Sequence, residues 1–95
     1  MTWVVYDVSD DRQRERVARA CKLATLQRVQ KSVFLGDLEP SRRDELALEL
    51  EATIDLTTDS VYVFPMCRTD FRQIALLGQA FDPDRVSGEL RRLFF

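Results

Sequence analysis

Asp7 is the first residue in this sequence whose type and position could do chemistry. It interrupts an apolar, β-prone run (WVVYDVSDD, residues 3–11), and Asp10 and Asp11 follow it closely. An unpaired ionised carboxylate is costly to bury, so Asp7 must end the strand, pair with a cation or bind a metal ion. Two interpretations stay open: a turn-capping aspartate, or a ligand for Mg²⁺ or Mn²⁺ with Asp10 and Asp11 supplying further ligands or waters. A two-fold dimer that brings two copies of Asp7 together would complete so sparse a metal site.

The segment after Asp7 is strongly basic. Residues 12–31 contain a single acid, Glu15, and carry a local charge of +6, although the whole chain carries −2. The basic residues are Arg12, Arg14, Arg16, Arg19, Lys22, Arg28 and Lys31. Because the planar guanidinium group donates two hydrogen bonds to one phosphate, this segment predicts a nucleic-acid-binding surface. A solvated helix face is an alternative, and so is neutralisation by the acids of residues 37–59, in this chain or a partner chain.

The remaining reactive or aromatic residues point less strongly to a site. Phe34 lies in an apolar stretch after Arg28, where an aromatic is either part of the core or, when exposed, a platform for a base. Cys21 falls on the apolar stripe of a predicted helix, and Cys67 has no base near it in the sequence. The chain contains no histidine, which excludes Ser-His-Asp and Cys-His catalysis, paired-imidazole ribonuclease chemistry and His-ligated zinc sites.

Hydrophobic periodicity predicts the elements that position these residues. Residues 2–8 form a strand buried on both faces, and residues 12–24 form a helix capped by residues 9–11. Residues 27–38 form one strand, or two short strands bent near residues 31–32, and a second helix begins at Pro40. Residues 59–67 form a strand that Pro65 places near a sheet edge or a strand end. A weak strand over 71–77 and a short helix from residue 82 follow.

The order of these elements predicts the fold class. With two short strands in the middle, the first six elements are βαββαβ: a ferredoxin-like α+β sandwich of two helices on one antiparallel sheet. We expect a single domain over residues 1–95, with a core over about 2–78 and a C-terminal helix or tail over 79–95. A chain of 95 residues buries only a small core, which favours a homodimer. Two isolated cysteines, and no signal-peptide or membrane-spanning pattern, favour a cytoplasmic protein without a membrane partner.

Several stretches together resemble one known family. VVYDVSDD, the basic RQRERVARACKL, RVQKSVFLGDL, the acidic second helix and DSVYVFPMC are similar to parts of the small CRISPR-associated Cas2 proteins, over about residues 2–78. The resemblance implies a ferredoxin-like fold, a homodimer and Mg²⁺-dependent phosphodiester cleavage of RNA or DNA. It also implies a place in the spacer-acquisition complex, with the CRISPR integrase as a partner. The C-terminal DPDRVSGELRRLFF departs from the further strand with which many family members end.

The resemblance also implies roles for individual residues. Asp7 matches the strand-end carboxylate, expected near its symmetry mate across a dimer cleft, and is the predicted metal ligand. Arg14, Arg16 and Arg28 match basic residues implicated in activity, and Phe34 matches the aromatic of an S-V-F motif. The predicted catalytic residues are therefore Asp7, Arg14, Arg16 and Arg28. The predicted nucleic-acid-binding residues are Arg12, Arg14, Arg16, Arg19, Arg28, Lys31 and Phe34.

Three functions fit these observations to different degrees. The leading prediction is a metal-dependent endonuclease of CRISPR adaptation that acts on RNA or DNA. The alternative is a non-catalytic, architectural dimer that binds duplex DNA and bridges integrase partners, with Asp7 in a structural role. A ferredoxin-like regulatory domain for a metabolite fits less well, because its function does not require a one-sided run of arginines.

Overall fold

A four-stranded antiparallel sheet forms the centre of the structure. The structure is a computed structural model, and it describes residues 1–81. The strands are β1 Thr2–Asp7, β2 Gln27–Gln30, β3 Val33–Gly36 and β4 Ser60–Pro65. They lie in the order β2-β3-β1-β4, so β4 is an edge strand of this sheet and ends at Pro65, as predicted. With the two long helices, this confirms the ferredoxin-like βαββαβ arrangement.

The two long helices begin close to the predicted capping residues. α1 spans Asp11–Leu23, and the Asp10 side chain accepts a hydrogen bond from the Gln13 backbone N–H at 2.9 Å. The Gln13 side-chain oxygen accepts nothing from residues 1–81, so only half of a capping box forms. α2 spans Pro40–Thr53 and has Pro40 in its first turn, where a backbone N–H has no helical partner in any case.

The segment between α1 and α2 bends into two strands, which confirms the second of the two predicted forms. Lys31 and Ser32 make the turn between β2 and β3. The pairing of these strands shifts register between Arg28 and Gln30, which is the mark of a β-bulge. A tight turn and a bulge therefore make the bend, although neither Gly nor Pro marks it in the sequence.

Each face of the sheet carries its own apolar cluster. The helix-side cluster joins sheet residues to helix residues: Val4, Tyr6, Phe34, Val17, Cys21, Leu46 and Leu50. The opposite cluster contains Trp3, Val29, Leu35, Phe71 and Phe81. Because successive residues of a strand point to opposite faces, Trp3, Val5 and Asp7 lie on the face away from the helices. This alternation decides where the Asp7 carboxylate is presented.

The region after β4 differs from the prediction. Residues 71–77 are not a strand: a short helix, α3, spans Arg68–Phe71, and residues 74–77 have no regular structure. Phe71, Ile74 and Leu76 pack in the opposite cluster beside Trp3. Their apolar spacing therefore reflects packing onto the sheet face. Over so short a length this spacing resembles the alternation of a strand. The helix predicted from residue 82 lies outside the described residues.

Candidate metal and nucleic-acid site

Asp7 is the last residue of β1, and its register partner in β4 is Ser60. Its side chain is exposed on the sheet face away from the helices. No residue between 1 and 81 makes a hydrogen bond or an ion pair with its carboxylate. Asp10 caps α1, so the interpretation of Asp7 as a turn cap loses its support. Asp7 therefore presents a free carboxylate at the end of a central, doubly paired strand.

The two neighbouring acids are engaged elsewhere. Asp10 accepts the hydrogen bond from the Gln13 N–H, and Asp11 forms an ion pair with Arg14. Within residues 1–81 no three His, Cys, Asp or Glu side chains are grouped to hold a metal ion. One chain thus offers Asp7 as a single hard oxygen ligand, which fits a Mg²⁺ site shared with water, phosphate or a second copy. The sequence had suggested a site in which Asp10 and Asp11 assist Asp7, and the engagement of these two acids with Gln13 and Arg14 does not fit such a site.

The backbone just after Asp7 is held by two charged side chains. The Arg14 guanidinium donates to the Val8 carbonyl oxygen at 3.0 Å. The Ser9 N–H and hydroxyl both donate to Oδ1 of Asp59, at 3.1 and 3.2 Å. Hydrogen bonds from the backbone N–H groups of Asp55 and Ser9 lower the pKa of Asp59, so its carboxylate stays ionised. Sequence reasoning missed Ser9 and Asp59; the signal was that Asp59 directly precedes the strand that pairs with β1.

The predicted basic residues divide into two sets. Arg12, Arg16 and Arg19 form the outer stripe, which is the exposed side of α1; they form no ion pair with residues 1–81. Arg14, Arg28 and Lys31 line a cleft of about 470 Å³ together with Glu15 and Ser32. An adjoining cleft of about 400 Å³ is lined by Glu15, Ala18, Arg19, Lys22 and Arg28. The basic surface therefore runs from the β2–β3 turn along the side of α1.

Arg28 and Phe34 form one unit, and it corrects a prediction. Phe34 is completely buried, its ring is stacked on Tyr6 with 6.3 Å between centroids, and the Arg28 guanidinium lies 5.1 Å from its centroid. Arg28 also donates to the Tyr6 hydroxyl at 3.5 Å, near the limit of a hydrogen bond. Phe34 is therefore not available to stack on a base, and the prediction that it binds nucleic acid is wrong. Its strand position turns it into the helix-side cluster.

The acidic second helix does not neutralise the basic first helix within one chain. Arg42 of α2 pairs with Glu45 and Glu49 of the same helix, at 3.7 and 3.4 Å. Among residues 1–81 no ion pair joins a basic residue of α1 to an acid of α2. The charge of the outer stripe is thus left for solvent, phosphate or a partner chain.

The two thiols lie in different environments. Cys21 is completely buried in the helix-side cluster, as predicted, and this burial raises its pKa to about 12. Its thiol is therefore neutral at neutral pH and cannot act as a nucleophile. Cys67 is exposed, and its Sγ accepts a hydrogen bond from the Asp70 N–H at 3.4 Å. No helix among residues 1–81 is both long and apolar enough to cross a membrane.

Comparisons with known proteins agree on one family. The family model described as CRISPR associated protein Cas2 matches residues 1–74. The chain is 40% identical over 65 residues to the CRISPR-associated endoribonuclease Cas2 1 of Archaeoglobus fulgidus, covering 68% of this chain and 69% of that protein. It is 39% identical over 71 residues to the CRISPR-associated endoribonuclease Cas2 of Desulforudis audaxviator, covering 75% and 67%.

Two solved structures share the fold. One is a hypothetical protein from Thermus thermophilus, with a TM-score of 0.68 and 30% identity over 81% of this chain and 88% of that chain. The other is Cas2 from Streptococcus pyogenes, with a TM-score of 0.64 and 31% identity over 81% and 98%. The family match over residues 1–74 includes the whole sheet, both long helices and the strand end that carries Asp7.

Proposed function

The chain belongs to the CRISPR-associated Cas2 family, and from this premise we propose that it is a nucleic-acid-binding protein of CRISPR adaptation with Mg²⁺-dependent endonuclease capacity. One observation carries the proposal: Asp7 presents a free carboxylate at a rigid strand end, directly before a basic segment whose outer stripe has no ion-pair partner in the described part of the chain. The relatives named as endoribonucleases support RNA as one substrate.

We propose that two copies associate through the sheet face away from the helices. At the Asp7 end of this face Val5 is half-buried, and Tyr62, its register partner in β4, is 63% exposed. A two-fold partner on this face buries Tyr62 and brings a second Asp7 toward the first. Association would also complete the site, since no three possible metal ligands are grouped within residues 1–81 of one chain.

Asp7 is the residue that would hold Mg²⁺, or Mn²⁺, as an oxygen ligand on a rigid strand. When bound, the ion supplies positive charge beside a phosphoryl oxygen and a bound water of lowered pKa. The chain contains no histidine to serve as an alternative base. Arg16 and Lys31 are exposed and free to bind phosphates, and Arg14 and Arg28 line the cleft where a phosphate would meet fixed positive charge. Arg12 and Arg19 extend phosphate binding along the outer stripe.

The second candidate function is an architectural dimer that binds DNA and bridges copies of the CRISPR integrase in the cytoplasm. The extent of the basic surface favours it: two adjoining basic clefts and the outer stripe offer many phosphate contacts, whereas metal binding rests on one carboxylate in each chain. In this function the arginines are needed and Asp7 is not.

The Asp7→Asn variant separates the two functions. Asparagine keeps the size of the side chain but removes its charge, so we expect cleavage to fall by about 100-fold or more, with folding and association unchanged. Asp44→Asn, which replaces an exposed carboxylate of α2, is the matched control and is expected to cleave like the wild type. Undiminished cleavage by Asp7→Asn contradicts the endonuclease assignment. Normal spacer integration by that variant, with cleavage lost, favours the architectural function.

The basic surface is tested by the salt dependence of binding. The logarithm of the binding constant for nucleic acid falls linearly with the logarithm of the salt concentration, and each lost phosphate contact is expected to make this slope about 1 less steep. Arg16→Gln is therefore expected to reduce both the affinity and the steepness of the slope. Arg43→Gln on α2 removes an equal charge from the acidic side of the molecule and serves as the control. Equal effects of the two variants contradict a specific basic surface.

A further inference from the structure

We propose that Asp59 is a positioning residue for Asp7, because its carboxylate fixes the backbone that immediately follows Asp7. The inference rests on the proposed function, since it concerns the use of Asp7 in binding a metal ion and in cleavage. The hydrogen bonds of the Asp59 side chain involve neither Asp7 nor a residue of the basic surface; Asp59 acts through Ser9, two residues after Asp7. It lies in the connection between α2 and β4, far from Asp7 in the sequence.

The contact lies just past the end of the β1–β4 pairing. Asp7 and Ser60 are the last register pair of these two strands. One residue before Ser60, Oδ1 of Asp59 accepts both hydrogen bonds from Ser9, from its N–H at 3.1 Å and its hydroxyl at 3.2 Å. A carboxylate thus continues the pairing where the backbone ladder stops. Strand ends otherwise fray, so this bond restricts the direction in which the Asp7 side chain projects.

The carboxylate that holds Ser9 is itself held in place. Its other oxygen, Oδ2, accepts a hydrogen bond from the Asp55 N–H at 3.0 Å, and the Thr58 hydroxyl donates to Oδ1 at 3.3 Å. The Asp59 N–H in turn donates to the Asp55 carbonyl oxygen at 2.8 Å. Because the turn over residues 55–59 fixes the side chain from behind, Asp59 is an anchor and not a mobile surface acid.

Arg14 holds the same stretch from the other side through the Val8 carbonyl at 3.0 Å. Val8 and Ser9, the two residues after Asp7, are therefore each tied to a charged side chain. Loss of Asp59 leaves the Arg14 contact in place, so β1 is expected to remain folded while its end becomes mobile. Displacement of a reacting group by about 1 Å can lower a rate by about 100-fold. We expect a decrease in kcat between about 10- and 100-fold for Asp59→Ala.

The kinetic experiment compares Asp59→Ala with Asp55→Ala. Asp55 belongs to the same turn, and its carboxylate accepts hydrogen bonds from Thr57 but none from Ser9. Its removal therefore disturbs the turn but keeps the hydrogen bonds between Asp59 and Ser9. We expect Asp59→Ala to lower kcat with KM little changed, Asp55→Ala to be near wild type, and Asp59→Asn, which keeps one acceptor oxygen for Ser9, to recover part of the loss. Adding Asp59→Ala to Asp7→Asn is expected to cause no further decrease. Equal decreases for the two alanine variants, or additive effects with Asp7→Asn, overturn the proposal.

A second measurement uses the metal-free protein and requires no activity. Hydrogen exchange at the Ser9 amide, followed by NMR, is expected to rise at least about 10-fold in Asp59→Ala and to stay near the wild-type rate in Asp55→Ala. Unchanged Ser9 exchange in Asp59→Ala overturns the proposal, whatever the cleavage data show. A wild-type protein that does not cleave refutes the proposed endonuclease function instead; the exchange result then decides alone whether Asp59 fixes the Asp7 strand end.

Discussion

The two faces of the sheet differ in how completely they are covered. On the helix side α1 and α2 enclose the cluster, and Val4, Phe34, Leu46 and Cys21 have no exposed surface. On the other face Phe71 and Phe81 cover the Trp3 end, whereas Tyr62 and Asp7 remain exposed at the far end. Alternate residues of one strand thus serve different purposes. The helix-side residues of β1 are buried in the domain core, whereas on the other face Trp3 is covered and Asp7 is exposed.

The largest effect expected from this difference is on stability. Phe34→Ala removes a completely buried ring that contacts Tyr6 and Arg28, so we expect the free energy of unfolding to fall by about 3–5 kcal/mol. Phe64→Ala is the matched control on the other face, where the ring is only half-buried against Trp3, and it should cost clearly less. Urea denaturation followed by circular dichroism measures both. Equal losses of unfolding free energy would contradict a larger contribution of the helix side to stability.

A smaller effect is expected at the buried thiol. Cys21→Ser places a hydroxyl where no exposed surface remains, and desolvation of that group is expected to cost about 1–3 kcal/mol of unfolding free energy. The control is Cys67→Ser, an exposed position where the change should stay within about 0.5 kcal/mol. The same denaturation experiment compares them. In the wild type a thiol reagent should label Cys67 long before Cys21, and prompt labelling of Cys21 would show that the helix side opens readily.

On the sheet face away from the helices, the expected effect is on association and not on stability. Tyr62→Asp puts a charge on the surface through which we propose that two copies meet, so dimers should dissociate to monomers. The unfolding free energy of the monomer should change by only about 0.5 kcal/mol, because Tyr62 is 63% exposed. Leu48→Asp, at an exposed position of α2, is the control and should leave association unchanged. Light scattering coupled to size exclusion measures the mass; a dimer of Tyr62→Asp contradicts this interface.

Local sequence patterns predict some features of the two sheet faces and not others. The strand over Thr2–Asp7 and the cap at Asp10 follow from local patterns, because β-branched runs and capping residues act over a few positions. The apolar run at Val33, Phe34 and Leu35 does not say which residue faces the helices, since all three are apolar. Burial of Phe34 was therefore decided by pairing with Val4, which no local pattern reveals.

The contact between Ser9 and Asp59 lies further beyond local prediction. The two residues are 50 positions apart, and only the pairing of β1 with β4 brings them together. The basic residues show the same limit. Spacing placed Arg12, Arg16 and Arg19 on one face, but whether Arg14 points to solvent or to the Val8 carbonyl depends on the end of β1. Composition predicts the presence of charge, whereas the fold determines which charges remain free.

The smallest expected effect concerns the stability of the protein at low pH, to which the carboxylates of Asp55 and Asp59 contribute. Hydrogen bonds from Thr57 lower the pKa of Asp55 below its ordinary value of 3.8, and those from the Asp55 and Ser9 N–H groups lower that of Asp59. A carboxyl group with a lower pKa in the folded state stabilises the protein above its unfolded pKa. This stabilisation is lost as the pH falls below about 3.8 toward the folded values, because the folded protein then takes up protons later than the unfolded chain.

Urea midpoints measured between neutral pH and pH 2 should therefore decline less steeply below pH 3.8 for Asp59→Asn than for the wild type. Thr57→Val removes the hydroxyl that donates to Asp55 at 2.6 Å but keeps both carboxylates, so its decline should be intermediate. Identical declines in all three proteins would show that these carboxylates do not stabilise the fold. If Asp59→Asn alone differs from the wild type, the stabilisation comes from the carboxylate of Asp59, which accepts hydrogen bonds from the Asp55 and Ser9 N–H groups, and not from the carboxylate of Asp55.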